Sequence, residues 1–266
     1  MTAHEIFDTP SGNSVVVALD HGLTLGAPEQ FTDPAETLGR VLEGEPDAVL
    51  VGPHFARRYG DLLDRTGVDV VLTADVVTWS TRPGRDDGLD LWTPAFETSL
   101  LRDLDPVGVK TVLVFGRDDA ETFRRNIAYI GRLAEELRGT GVPLVVEPVM
   151  WGERVPGRLE SDPAYVADAL RMGWEFGADV LKSPYTGDPD SFEEIVSNTP
   201  VPVMILGGPQ TGTTRNLLES IEGAIAAGAH GLMVGRSIWK SEDPTRTITA
   251  INRIVHDGAS VDEVWS

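Results

Sequence analysis

A chain of 266 residues with 41% apolar content is long enough for one large domain with a substantial core. It contains no cysteine, which excludes disulfides, thiolate metal sites and a cysteine nucleophile, and its net charge of −20 disfavours nucleic acid and anionic membranes as partners. No apolar run is long enough to span a membrane, and the N-terminus lacks the basic and apolar segments of a signal peptide, so we expect a cytoplasmic protein.

Eight short apolar runs divide the chain at fairly regular intervals. They are rich in Val, Ile and Leu and apolar throughout, which is typical of strands buried on both faces of a parallel sheet. In chain order, the predicted strands are residues 14–19, 47–51, 68–73, 110–115, 142–146, 179–181, 201–206 and 231–234.

Amphipathic segments lie between these runs and predict helices. Most of them follow an acidic residue, carry proline in the first turn or are followed by glycine, which is the expected punctuation of a helix. The predicted helices are residues 34–42, 120–138, 163–176, 189–196, 214–227 and 244–255.

Strands that alternate with helices predict an α/β protein with a single (β/α)8 TIM barrel over residues 1–266. The rival fold, an open doubly wound sheet, would have a glycine-rich turn after the first strand, where this chain has Asp20-His21-Gly22. The irregular segment 79–94 is predicted to be a long loop after the third strand, either a lid or an oligomer contact.

Catalytic groups of such a barrel lie where its strands end, and Lys182 is the most informative residue there. It follows the sixth predicted strand directly, so its stem should be buried, and burial lowers the pKa of a lysine until the neutral amine can attack a carbonyl. The alternative is a lysine that forms an ion pair for stability only. Lys110 opens the fourth predicted strand and should lie at the opposite end of the barrel, whereas Lys240 lies past the last strand, near the mouth.

Glycine turns follow the last two strands. Gly207-Gly208 and Gly235 allow backbone N–H groups to approach an anion closely, and Arg236 and Ser237 come next. The loops after strands seven and eight are the usual phosphate site of this fold. We therefore predict phosphate binding here, with two tight turns that need glycine for their geometry as the alternative.

Further polar residues stand at other strand ends. Asp20 can orient a Schiff-base lysine and help to move protons, and His21 is either a second base or a buried structural histidine. Glu147 follows apolar residues and needs a buried partner, for which Lys182 on the next strand is a candidate. Trp151 and Tyr185 are predicted to line the substrate site. With no cysteine and no closely spaced histidine pair, the sequence predicts neither a metal site nor a cofactor.

The basic residues are unevenly distributed between the two types. Only three of the 22 are lysines, namely Lys110, Lys182 and Lys240, and the rest are arginines. An acidic, lysine-poor composition is typical of proteins from salt-loving organisms, and the alternative is a merely acidic mesophilic protein. We therefore predict a halophilic protein whose partner is a small molecule.

Four segments together resemble one known family. They are Leu19-Asp20-His21-Gly22, residues 178–189 around Lys182, Gly207-Gly208-Pro209, and residues 227–237 with Val234-Gly235-Arg236-Ser237. They are similar to the archaeal-type class I fructose-bisphosphate aldolase family, which also contains 2-amino-3,7-dideoxy-D-threo-hept-6-ulosonate synthase and a thiolase acting on phosphorylated autoinducer breakdown products.

The resemblance implies a (β/α)8 barrel, Lys182 as the Schiff-base residue, Asp20 as a catalytic carboxylate and phosphate binding by the glycine turns. It also implies a homo-oligomer, often a decamer of pentameric rings. One departure concerns the fifth strand, after which typical members carry Tyr-Pro-Arg-Gly with the tyrosine as general acid/base. When the glycines are aligned, Val149 takes the place of that tyrosine, and Glu147 is the nearest titratable replacement.

The first functional expectation is a class I aldolase that cleaves or forms a C–C bond in a phosphorylated ketose, with fructose 1,6-bisphosphate of glycolysis or gluconeogenesis as the default. The closest alternative is the heptulosonate synthase, which uses the same lysine. A related thiolase or transaldolase is a further alternative. The non-enzymatic alternative is a phosphosugar-binding protein that has lost catalysis, which the missing tyrosine would explain.

Overall fold

Eight parallel strands form a closed barrel in the computed structural model, which describes residues 4–80, 91–152, 154–155, 159–207 and 212–265. The barrel strands and a two-stranded hairpin are, in chain order, β1 (Ser14–Ala18), β2 (Ala48–Val51), β3 (Asp69–Thr73), β4 (Asp75–Thr78), β5 (Leu91–Pro94), β6 (Gly108–Phe115), β7 (Leu144–Met150), β8 (Val180–Ser183), β9 (Val203–Leu206) and β10 (Gly231–Val234). Strands β4 and β5 form the hairpin, and β10 closes the barrel against β1. The predicted single-domain (β/α)8 fold is confirmed.

The helices of the described residues alternate with the barrel strands. They are α1 (Gly22–Leu25), α2 (Pro34–Leu42), α3 (Pro53–Thr66), α4 (Thr98–Arg102), α5 (Ala120–Leu137), α6 (Pro163–Glu175), α7 (Pro189–Ser197), α8 (Thr214–Ala226), α9 (Arg236–Trp239), α10 (Pro244–Asp257) and α11 (Val261–Val264), with 3-10 turns at Glu5–Phe7 and Glu29–Phe31. None of these helices combines the length and the apolar character needed to cross a membrane.

Acidic caps fix where several helices begin. The carboxylates of Asp33, Asp162, Asp188 and Asp243 accept hydrogen bonds from first-turn N–H groups of α2, α6, α7 and α10. The sequence does not predict α3, because the residue at its N-cap is Gly52, which has no side chain to cap with. Helix prediction from punctuation therefore succeeds for these four helices with aspartate caps, whereas α11 was not predicted although Ser260 and Glu263 form a capping box at its start.

The hairpin shortens the loop predicted over residues 79–94. Strands β4 and β5 pair antiparallel, with Thr78 opposite Leu91, so the last four residues of that segment are a strand. Trp92 anchors β5, since it is buried and its ring contacts Tyr129 edge to face at 5.9 Å. Residues 81–90 lie outside the described residues.

Apolar side chains fill the lower half of the barrel interior. Ile6, from the 3-10 turn before β1, is 2% exposed and packs under the barrel against Val71, Val145 and other interior residues. A Cβ placed on Gly108 at the start of β6 would lie 3.7 Å from Ile6, which puts Ile6 at the N-terminal end of the strands. The N-terminal end of the barrel is thus closed, and the functional groups are left to the opposite end.

Candidate active site

Four charged side chains meet inside the barrel. Oε2 of Glu147 on β7 accepts from two lysines, at 3.0 Å from Nζ of Lys182 on β8 and at 2.9 Å from Nζ of Lys110 on β6. Asp20, just beyond β1, places its Oδ2 3.9 Å from Nζ of Lys110. Glu147 and Lys182 are each 7% exposed, so these charges interact with one another rather than with water.

The alternation of the strands explains why these side chains share one layer. Lys182, Glu147 and Asp20 each lie two residues after an apolar residue of the barrel interior. Since side chains two positions apart point to the same face of a strand, all three point inward as well. The layer beneath them is apolar, so the charged groups find their partners within their own layer.

The sequence prediction for Lys110 is wrong. It places Lys110 at the opposite end of the barrel, but β6 begins at Gly108, and Lys110 pairs with Thr73, the last residue of β3. Strands of a closed barrel are staggered against each other, so the third residue of one strand lies level with the end of its neighbour. The signal that could have revealed Lys110 is a charged residue inside an otherwise apolar, buried strand.

Mutual pairing sets the charge of the cluster. Burial alone would raise the pKa of Glu147, but the positive charges of Lys110 and Lys182 lower it to about 2. Burial likewise opposes a charge on Lys110, yet Glu147, Asp20 and Asp75 together raise the pKa of Lys110 above its ordinary value. At neutral pH the cluster therefore contains an ionised Glu147 and a protonated Lys110.

His21 lies beside the cluster and is uncharged at neutral pH. Burial lowers its pKa to about 4, against the opposing charge of Asp20, whose Oδ1 is 3.6 Å from Nδ1 of the imidazole. The ring contacts Trp239 edge to face, with 5.5 Å between the centroids. His21 is thus available as a neutral donor or acceptor in the wall of the cavity described next.

Asp75 has a supporting position outside this cavity. Its carboxylate is 3% exposed and accepts from Trp92 Nε1 at 2.8 Å, from Thr111 Oγ1 at 2.7 Å and from the backbone N–H of Val112 at 3.0 Å. Burial raises the pKa of Asp75, while the charge of Lys110 lowers it. Through these hydrogen bonds, Asp75 connects the β4–β5 hairpin to β6.

A cavity of 920 Å³ opens over Lys182, with walls from β7 to β10. Gly207, Gly235, Arg236 and Ser237, all predicted as phosphate-site residues, line one side of it. Gly208, predicted with them, lies outside the described residues. Arg236 and Ser237 begin the short helix α9, which the sequence analysis does not predict.

Sequence reasoning missed the polar residues that α8 adds to this side of the cavity. Thr213 and Asn216 line it and bond reciprocally at the start of α8, where the Thr213 hydroxyl accepts from the Asn216 backbone N–H and the Asn216 side chain accepts from the Thr213 backbone N–H. Thr214 also lines this wall. The available signal was the spacing of Thr213 and Asn216, which is that of a capping box.

Of the remaining residues considered in the sequence analysis, three line the cavity and one lies outside its wall. Trp151 and Tyr185 line it, together with Val149, which is 5% exposed and supplies a purely apolar surface. Lys240 lies outside the cavity wall as the structure describes it, with Nζ 5.5 Å from the ring centroid of Trp239. Lys182 is therefore the better placed of these two lysines.

Comparisons with known proteins agree with this geometry. A profile of the DeoC/LacD family of aldolases matches residues 14–241. An uncharacterised aldolase of Saccharolobus solfataricus is 28% identical over 97% of this chain and 94% of its own length. A 2-amino-3,7-dideoxy-D-threo-hept-6-ulosonate synthase of Halobacterium salinarum is 32% identical over 92% of this chain and 87% of its own length. A solved archaeal fructose-1,6-bisphosphate aldolase, with its catalytic Lys bound to the carbinolamine intermediate of the substrate, has a TM-score of 0.80 at 27% identity and covers 94% of this chain and 96% of its own. Because the profile spans all eight barrel strands, this chain belongs to the DeoC/LacD family and is an aldehyde-lyase of the class I, Schiff-base type.

Proposed function

We propose that this aldolase forms an imine between Lys182 and the carbonyl of a phosphorylated ketose. The observation that carries the proposal is the shared cavity, in which buried Lys182 lies 3.0 Å from Glu147 and a side wall contains Gly235 and Arg236. An amine and an anion site in one cavity suit a phosphorylated carbonyl compound. Fructose 1,6-bisphosphate is the reference substrate for assays, since one similar solved structure is an aldolase of that sugar.

The charge of the cluster favours a cation on the nitrogen of Lys182. The carboxylates of Asp20 and Glu147 face one other cation, Lys110, so a positive charge at Lys182 balances the buried cluster. A neutral amine attacks the ketone, and the iminium that follows carries a positive charge at the nitrogen of Lys182. The carboxylate of Glu147, 3.0 Å from that nitrogen, therefore stabilises the iminium and the transition states leading to it.

In the cleavage direction, the iminium draws in the electron pair of the bond between C3 and C4 of the ketose. The proton of the C4 hydroxyl passes to a base, and the aldehyde half leaves. The enamine that remains takes up a proton at C3, and water then hydrolyses the imine, which releases the phosphorylated ketone and restores the amine. Synthesis runs through the same steps in reverse.

Glu147 is the proposed proton acceptor of the cleavage step. Val149 lines the cavity, and its side chain has no proton to transfer. When the glycines are aligned, it takes the place of the tyrosine that the family resemblance implies. Glu147 touches Lys182 and therefore reaches the atoms around the imine. Its low pKa makes it a weak base at rest, so neutral His21 is the second candidate for this proton.

Reductive trapping tests the imine. Sodium borohydride with dihydroxyacetone phosphate should give a stable adduct on the peptide that contains Lys182, and this adduct should be absent in Lys182→Ala and retained in Lys240→Ala. An adduct on Lys110 or Lys240 would mean that the wrong lysine was chosen. If no adduct forms with any phosphorylated ketose and Lys182→Ala is fully active, the mechanism is wrong.

A second candidate function is the synthesis of 2-amino-3,7-dideoxy-D-threo-hept-6-ulosonate. It is favoured by the 32% identity with the Halobacterium salinarum synthase. Both candidates use the imine at Lys182, so trapping does not separate them. Two assays separate them. One measures kcat/KM for cleavage of fructose 1,6-bisphosphate, and the other measures kcat/KM for formation of the amino heptulosonate, detected by mass spectrometry. The larger value identifies the function.

Assembly into a homo-oligomer is also proposed. Its support is the family resemblance, which implies decamers of pentameric rings, together with exposed apolar side chains at Leu23, Leu91 and Tyr165. Light scattering after size exclusion should give a multiple of the 28.7 kDa chain mass, and ten times that mass for a decamer. A monomeric mass in molar KCl and in low salt alike would contradict the proposal.

A further inference from the structure

The cavity over Lys182 has two sides of different chemistry. Lys182 stands on β8, with β9 and β10 on one side of it and β7 on the other. The β9 and β10 side presents Gly207, Gly235 and Arg236, together with the hydroxyl groups of Thr213, Thr214 and Ser237. One cation, several hydroxyls and glycine turns make this the side that suits an anion.

The β7 side is apolar and carries a carboxylate. Val149 and Trp151 come from β7 and its end, and Val166 and Leu170 come from the inner face of α6. Val166 and Leu170 are each 1% exposed, so this wall is packed rather than wet. Among the described residues, this side adds Glu160, ahead of α6, to the carboxylate of Glu147 in the charged cluster.

The proposed function and the strand order together orient a ketose in this cavity. With its carbonyl carbon at Lys182 and its phosphate at the β9 and β10 side, the rest of the sugar extends along the cavity towards β7. The part from C4 onward is the half that leaves as the aldehyde. It therefore meets Trp151, Val149 and Glu160.

A second phosphate would be poorly placed on the β7 side. Transfer of an anion from water to an apolar wall is strongly unfavourable unless a cation or several N–H donors meet it, and a carboxylate nearby repels it. Arg154, the first described arginine after β7, points elsewhere: its Nε lies 2.8 Å from Asp118 and its side chain is 65% exposed. Within the described residues, the cavity wall has its arginine on the β10 side only.

We infer that the aldehyde half of the substrate carries no phosphate and packs on Trp151, so that the enzyme prefers a ketose 1-phosphate to a ketose 1,6-bisphosphate. Trp151 and Glu160 are the residues that set this preference, the first through apolar contact with the sugar chain and the second through repulsion of an anion. The inference rests on the proposed Schiff-base function and goes beyond it, because the imine at Lys182 forms on the ketone half in either case.

Steady-state cleavage of fructose 1-phosphate and of fructose 1,6-bisphosphate tests the inference. We expect kcat/KM to favour the monophosphate by about tenfold or more, which corresponds to one uncompensated contact of the second phosphate. Glu160→Gln and Trp151→Arg should each shift the ratio towards the bisphosphate, and Trp151→Arg more strongly, because it adds a cation. Glu193→Gln, which neutralises an exposed carboxylate on α7, is the matched control and should leave the ratio unchanged.

The inference is overturned if the wild-type enzyme prefers the bisphosphate. It is also overturned if neither Trp151→Arg nor Glu160→Gln changes the ratio of the two kcat/KM values. Borohydride trapping with dihydroxyacetone phosphate distinguishes failure of the inference from failure of the proposed function. Trapping at Lys182 together with a preference for the bisphosphate overturns the inference and leaves the function standing. Absence of trapping and of cleavage for both sugars overturns both.

Discussion

Glu147 is held between two lysines, and this arrangement fixes its charge. With a pKa of about 2 it stays ionised throughout the neutral range, so its own titration should not appear in the pH profile of activity between pH 5 and pH 9. A change of activity with pH in that range therefore belongs to another group. Glu147 thus combines electrostatic support for the iminium with the proposed transfer of a proton.

Replacement of Glu147 by glutamine keeps the shape of the side chain and removes its charge. The carboxylate charge that now lies between the Nζ atoms of Lys110 and Lys182 is then lost. We expect turnover to fall by about 10²-fold or more, the scale of losing a general acid/base, while circular dichroism stays that of the wild type. Glu193→Gln is the surface control, and a loss of turnover below about threefold would move the proton transfer to His21 or Tyr185.

The burial of His21 should make the stability of the protein depend on pH. Its pKa is 6.5 when unfolded and about 4 when folded, so between these values the unfolded chain binds more protons, and stability is lost as the pH falls. The contribution of this one group should be about 2 kcal/mol between pH 7.5 and pH 5. Urea unfolding at both pH values should show a smaller loss for His21→Gln than for the wild type, and equal losses would contradict a buried neutral imidazole.

Single residues were predictable from the sequence where they follow an apolar run. Lys182 and Glu147 meet this condition, and the structure brings them together. Lys110 does not, because its height in the barrel depends on the stagger between strands, which no local pattern contains. The catalytic role of Lys182 stays a prediction, which reductive trapping tests.

At the scale of elements, the turn from β10 to α9 and the turn from β1 to α1 meet at Gly235. A Cβ at this position would lie 2.4 Å from the carbonyl oxygen of Ala18 and 2.5 Å from Cε1 of His21. Backbone atoms cannot shift cheaply, so glycine is required here for close approach. The backbone of the proposed phosphate site is thereby held against the turn that carries His21.

Gly235→Ala should therefore damage the site as well as the fold. We expect the free energy of unfolding to fall by about 1–3 kcal/mol, as in an overpacked core, and the KM for the phosphorylated substrate to rise. Gly39→Ala on α2 is the matched control, since a Cβ there meets nothing within 4 Å and alanine in a helix should stabilise the protein by about 0.5–1 kcal/mol. An unchanged KM in Gly235→Ala would show that the close packing has no role in binding.

Helices that begin with an aspartate cap were predictable, and elements created by packing were not. The four predicted acidic caps start α2, α6, α7 and α10 at the expected residues. Helix α9 has four residues, no acidic cap and a glycine before it, so it forms where β10 ends against β1 and not by its own propensity. The proposed phosphate side of the cavity includes this short helix, so the sequence predicted its residues Arg236 and Ser237 but not the helix itself.

At the scale of the whole molecule, the net charge of −20 opposes compact folding. Ion pairs such as Arg171–Glu175 and Arg138–Glu135 are exposed, and each contributes little to the free energy of unfolding. Salt that screens these pairs therefore costs less stability than it adds by weakening the repulsion among the excess negative charges. We expect the melting temperature in molar KCl to exceed that in low-salt buffer by roughly 5 °C or more. Equal melting temperatures would remove the prediction of salt adaptation.

The closed base of the barrel gives reactants and products the same path. With Ile6 beneath the interior side chains, sugar, aldehyde and water all pass through the opening above Lys182. In the proposed mechanism the ketone half stays covalently attached after cleavage until water hydrolyses the imine, whereas the aldehyde is free to diffuse away through that opening. We therefore expect sequential release, with aldehyde first and ketone phosphate last, so that in steady-state inhibition the ketone phosphate competes with the sugar and the aldehyde does not.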